Sequence, residues 1–139
     1  MVFQAGAQDV GTAAKAVFSE KKWKLLYEGN ELPKKNHGMF SNAHAFSGRS
    51  GDKAAWEKAS AAGLEPRIYL QAKTPTSAFS FGTELFVVVY ESKEAGSLVS
   101  IVASTSQIAE KKKMQSYISE LAAMLNEKLG TAGGPPATP

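Results

Sequence analysis

Residues 81–91 read FGTELFVVVYE, Phe81 to Glu91, a nearly unbroken apolar run in a chain that is otherwise mixed and polar. Side chains alternate across a strand. Leu85, Val87 and Val89 therefore share one face, and Phe86, Val88 and Tyr90 share the other. Apolar residues on both faces mark a strand buried from both sides, so the run is predicted to lie mid-sheet. The polar cluster that follows, SKEAGS, contains Gly96 and is read as a hairpin loop. The chain then returns through LVSIVAS, with Val99, Ile101 and Ala103 on one face and Leu98, Ser100 and Val102 on the other.

Working upstream, TPTS is a turn, and RIYLQAK sets Ile68, Leu70 and Ala72 against Tyr69, Gln71 and Lys73. SGRSGD is a loop. Asp52 is expected to cap a short helix over Lys53 to Ala62, on which Trp56 and Ala59 lie on the same side. Gly63 ends that helix in the left-handed conformation. HGMFSNAHAF is read as a strand with Phe40 and Phe46 on one parity. WKLLYEGNE is another, with Trp23, Leu25 and Tyr27 on one face and Lys24 and Glu28 on the other; Gly29, Asn30 and Pro33 mark the turn after it. VFQA is a short β-type segment. Asp9 is expected to cap the first helix, which carries Val10, Ala13, Ala14, Val17 and Phe18 as an apolar stripe and ends on Lys21 and Lys22.

Downstream, QIAEKKKMQSYISELAAMLNEKL is predicted to be one long helix, with Met114, Ile118, Leu121, Leu125 and Leu129 at spacings of three and four. Gly130 ends it, and TAGGPPATP, residues 131–139, is read as a disordered tail after a single domain over 1–130. The element order is β-α-β-β-(short α)-β-β-β-α. That is an α+β fold, an antiparallel β-sheet packed on a long C-terminal helix.

The 139 residues suit one domain, with 43% hydrophobic and 21% charged residues, enough to build a core. Net charge is +3 with a pI near 9.1, which without a clustered face does not argue for nucleic acid. Cysteine is absent, which excludes disulfides, thiol catalysis and cysteine-ligated zinc. No apolar run approaches the roughly 20 residues that span a bilayer. The start lacks a leader pattern, so the expected setting for the chain as given is the cytoplasm.

Little in the chain points to catalysis. His37 and His44 are the histidines; seven residues apart, they face opposite sides of a continuous strand and do not suit a shared metal. They are read as surface or loop residues. Gly48, Arg49 and Gly51 precede a helix start, where anions are attracted, but Asp52 at the cap would repel one. No G-x-S-x-G elbow or HExxH pair is present. No catalytic residue, metal ligand or cofactor is assigned, and an enzyme is the least supported class. Lys111, Lys112 and Lys113 form the strongest charged feature. Near a helix start they oppose the dipole, at a cost of about 0.3–1 kcal/mol each when exposed. Either the helix begins earlier, near Thr105 or Ser106, with Glu110 offsetting them, or the cluster serves an acidic partner, a phosphate or a membrane surface. Lys21, Lys22 and Lys24 would join the patch if the helix ends were neighbours. Aromatics do not interleave with these lysines, which disfavours a single-stranded nucleic acid.

VFQA, KKWKL, SFGTELFVVVYE, GSLVSIVAS and the last amphipathic helix together resemble small bacterial helix-grip domains, similar in architecture to START-type (birch-pollen-allergen-like) and BamC-like domains. The resemblance covers most of residues 2 to 129; Ser41 to Glu65 is longer than it implies. It implies an antiparallel sheet wrapped on the C-terminal helix and an apolar ligand between the two. The residues expected to hold that ligand are Phe40, Tyr69, Phe86, Val88 and Tyr90, with tyrosine hydroxyls as polar handles. The competing expectation is a protein-interaction or homo-oligomerisation module that uses an exposed sheet face or edge.

Overall fold

The computed structural model describes residues 2–38, 53–76, 82–92, 96–106 and 108–130, with backbone alone at 53–56, 92, 108 and 109. Its elements are β1 (Val2–Phe3), α1 (Ala7–Lys21), β2 (Lys24–Gly29), α2 (Lys53–Ala61), β3 (Glu65–Lys73), β4 (Glu84–Ser92), β5 (Gly96–Ser104) and α3 (Ile108–Leu125), which runs into a π-helical turn at Asn126–Gly130. Among the described residues the strands form one five-stranded sheet in the order β1-β5-β4-β3-β2, antiparallel throughout. The fold is α+β, and β4 is its middle strand. The β4–β5 hairpin forms as predicted, with Ser92 opposite Gly96.

α1 and α3 cover the same face. Ile68, Leu70, Ala72, Leu85, Val87, Val89, Val99, Ile101 and Ala103 pack there against Val10, Ala14, Val17 and Phe18 of α1 and Leu121 and Leu125 of α3. Ion pairs tie the C-terminal turn of α1 to α3 and its π-helical turn, Lys21 to Glu120 at 3.0 Å and Lys128 to Glu20 at 2.6 Å. The last turn of the predicted C-terminal helix winds as π rather than α, and Leu129 stays buried. α2 lies on the opposite face. It ends with Gly63 at φ 69°, and the Leu64 amide donates to Ala59 O at 2.9 Å. That bond closes the glycine cap expected from the sequence.

Several expectations require correction. Asp9 does not cap α1. The helix starts at Ala7, so Asp9 falls within the first turn, and the residue at the cap is Gly6, which has no side chain to offer. Glu91, at the end of β4, fills the role from across the chain and accepts the Ala7 amide at 2.6 Å. At the other end Lys22 takes the left-handed conformation (φ 58°, ψ 33°). The Lys22 amide donates to Ser19 O and the Trp23 amide to Phe18 O, a Schellman closure built on a residue with a Cβ.

Trp23, Leu25 and Tyr27 do not share a face. Leu25 pairs with Ala72 and Tyr27 with Gln71, so β2 bulges between them. One extra residue inverts every side chain that follows. Trp23 stays in the helix-face core, and Glu28 reaches α1 to pair with Lys15. Tyr27 moves to the outer face. Of the predicted strand HGMFSNAHAF, His37 and Gly38 are bends rather than strand, and the remainder, with Phe40, Phe46 and His44, lies outside the described residues. So do Gly48, Arg49, Gly51, Asp52 and residues 131–139.

Candidate functional site

The outer face of the sheet is also apolar. Tyr69, Phe86, Val88, Tyr90, Leu98 and Val102 form a second buried cluster with Ala59 of α2, and Val2, Tyr27 and Leu64 pack against it. Strand alternation put them there. Each is one residue out of step with the helix-face core, and the β3–β4 register sets Tyr69 beside Val88 and Gln71 beside Phe86. Four of the five predicted ligand residues are therefore brought together, and Phe40 lies outside the described residues. Their location differs from the expected one. They were expected between the sheet and the C-terminal helix, but the face that the long helices cover carries Leu85, Val87 and Val89, in one core with Leu121 and Leu125 of α3; α1 lies over β3 and β4, and α3 lies over β5. The cause is parity: β4 can offer only alternate residues to the helix.

Polar groups sit within the outer-face layer. Gln71 and Glu84 are buried side by side, 0% and 2% exposed, and Gln71 Nε2 donates to Glu84 Oε1 at 2.8 Å. Gln71 Oε1 is buried without a hydrogen-bond partner. Burial raises the Tyr69 hydroxyl pKa above its usual 10.0, and the nearby Tyr27 adds to the shift. Tyr27 donates its own hydroxyl to Glu31 O at 2.7 Å and stacks on His37 with ring centroids 4.9 Å apart.

A separate cleft of about 320 Å³ opens at one end of the sheet, lined by Lys22, Lys24, Leu26, His37, Gly38, Lys73, Thr74, Pro75 and Thr76. Lys24 and Lys73 are direct cross-strand partners. The bulge after Leu25 is what lets Lys24 and Tyr27 occupy the same face. This grouping depends on register and bulge and could not be read from local sequence.

Lys111, Lys112 and Lys113 are exposed on the first two turns of α3. The helix starts at Ile108, later than the earlier-start explanation requires, and Glu110 is the acid of its first turn. The C-terminal end of α1 meets α3 further along: Trp23 packs edge-on against Tyr117 at 5.9 Å. Tyr117 is about one turn past Lys113, roughly 6 Å along the axis. The two lysine groups thus sit at the same end of the helical layer, but Lys111–Lys113 do not line the cleft. Burial and the neighbouring Glu110 raise the Tyr117 hydroxyl pKa.

Among the described residues, no group of three or more His, Asp or Glu side chains is placed to hold a metal ion. No helix among the described residues is long and apolar enough to cross a membrane. No protein-family model, curated protein or solved structure matches this chain.

Proposed function

We propose that this chain is a non-catalytic binding domain whose ligand is a small, largely apolar molecule bearing one hydrogen-bond donor. The ligand is held on the outer sheet face by Tyr69, Phe86, Val88 and Tyr90. The observation that carries this reading is the unpartnered Gln71 Oε1, buried between the apolar Phe86 and the carboxylate of Glu84 that its amide nitrogen holds. A buried acceptor without a donor costs about 1–3 kcal/mol. A ligand hydroxyl or amine would remove that cost, and a mainly apolar lining with one or two oriented polar groups is the usual composition of a small-molecule site. The helix-grip resemblance supports ligand binding as a general role. In this proposal the ligand lies on the face away from the C-terminal helix.

The interaction-module reading has less support. β1 and β2 are the edge strands; β1 is only two residues long, and β2 carries Lys24, Glu28 and a bulge, features that blunt strand addition. The exposed large apolar side chains among the described residues are Leu25 and Leu32, too few to make a patch.

Naphthalene and 1-naphthol, matched in shape and differing in one hydroxyl, test the proposal. Both should bind saturably. The hydroxyl should improve affinity about two- to thirteenfold, the value of a net hydrogen bond of about 0.5–1.5 kcal/mol. Gln71→Leu should erase the preference. Failure of both probes to bind the wild-type protein would refute the reading.

A further inference from the structure

We infer that the cleft bounded by Lys22, Lys24 and Lys73 is a binding site for a phosphate group. The inference stands on observations separate from those for the outer-face ligand. Three lysines line one concave site of about 320 Å³ whose described lining contains no carboxylate. None of the three makes an ion pair among the described residues, whereas Lys15, Lys21 and Lys128 all do.

All three lysines are placed against the stability of the fold. Lys24 and Lys73 face each other directly across β2 and β3, and like charges at opposed positions of an antiparallel pair repel. Lys22 occupies the left-handed cap position where glycine fits without strain. A multivalent anion between them would turn the repulsion into attraction.

Glu84 is the acid nearest in register, opposite Lys73 on β4. Its carboxylate is buried, engaged by Gln71 and covered by Gly38. A Cβ at position 38 would collide with Glu84 Oε1, so glycine lets the chain lie directly over this acid and screen it from the cleft. The side walls suit a compact tetrahedral group. Thr76 is exposed at the rim, Leu26 and Pro75 give apolar sides, and the His37 ring is held against Tyr27.

Phosphate could reach the cleft as a free small molecule or as a lipid headgroup. The test is therefore a titration of the full chain with inorganic phosphate, with pyrophosphate, and with neutral vesicles containing phosphatidic acid, all at fixed ionic strength. Saturable binding of pyrophosphate, with weaker binding of phosphate, assigns a free phosphate compound; binding of the vesicles alone assigns a headgroup. In either case Lys24→Gln/Lys73→Gln should weaken binding at least about tenfold, since each charge-assisted contact is worth about 1.5–3 kcal/mol. Lys111→Gln/Lys112→Gln/Lys113→Gln should leave it within about twofold, because a local site outweighs distant screened charge. With no anion present, the double variant should melt no lower than the wild type, which establishes that it is folded. Absence of saturable binding to all three probes would overturn the inference, as would equal losses in the two variants.

Discussion

Lys22 offers a test of the cap geometry in which a substitution should strengthen the protein. Its backbone is left-handed, at φ 58° and ψ 33°, and its side chain is exposed with no ion pair among the described residues. The strain therefore comes from the Cβ and not from the ammonium. A side chain in this conformation costs about 1–2 kcal/mol. Glycine removes that cost but adds about 0.5–1 kcal/mol of unfolded-state entropy, which leaves a net gain between about zero and 1.5 kcal/mol, centred on ~0.75 kcal/mol. Comparing Lys22→Gly with Lys22→Ala isolates this term, because both lose the same charge at the helix end. Urea unfolding should place the midpoint of the glycine variant above that of the alanine variant, at an unchanged m-value. An alanine variant as stable as the glycine one, or more so, would refute the left-handed cap. Both variants should lose anion affinity equally, since both lack the ammonium that lines the cleft.

The cross-chain cap at Glu91 gives a second prediction. Glu91→Ala should destabilise by about 1.5–3 kcal/mol, the worth of a hydrogen bond to a charged group. Hydrogen exchange should accelerate first at the Ala7 amide that Glu91 holds. Phe86→Ala should cost about 3–5 kcal/mol in chemical denaturation, as for a fully buried aromatic; a loss below 1 kcal/mol would mean the outer face is not packed. The tyrosines set an alkaline limit. Tyr69 and Tyr117 both hold their protons above the usual 10.0, so the stability they contribute is complete below pH 10.0 and drains away as the pH climbs through their folded values. The Tyr69→Phe/Tyr117→Phe variant should lose less stability than the wild type on that alkaline limb.

Much of this fold was legible because its sheet obeys a simple period. Leu85, Val87 and Val89 fell on one face and Phe86, Val88 and Tyr90 on the other, as alternation requires. The apolar stripes of α1 and α3 fell on their buried faces in the same way. What escaped were features that no local window contains. The bulge after Leu25 is set by pairing with Ala72 and Gln71, not by any signal in WKLLYEG. Glu91 caps a helix that starts 84 residues earlier in the chain. Similarly, Lys24 and Lys73 become neighbours only through register. The helix partner of the sheet was legible, but the face it would leave to Tyr69 and Phe86 followed from parity, and the expected ligand position between sheet and helix overlooked that constraint.

Methyl-resolved NMR of the three consecutive valines of β4 tests the central claim most directly. Val88 belongs to the outer-face cluster, whereas Val87 and Val89 belong to the helix-face core. Saturating 1-naphthol should displace the Val88 methyl resonances through its ring current and leave those of Val87 and Val89 in place. No displacement at Val88, or equal displacement of all three, would contradict a ligand seated on the outer face.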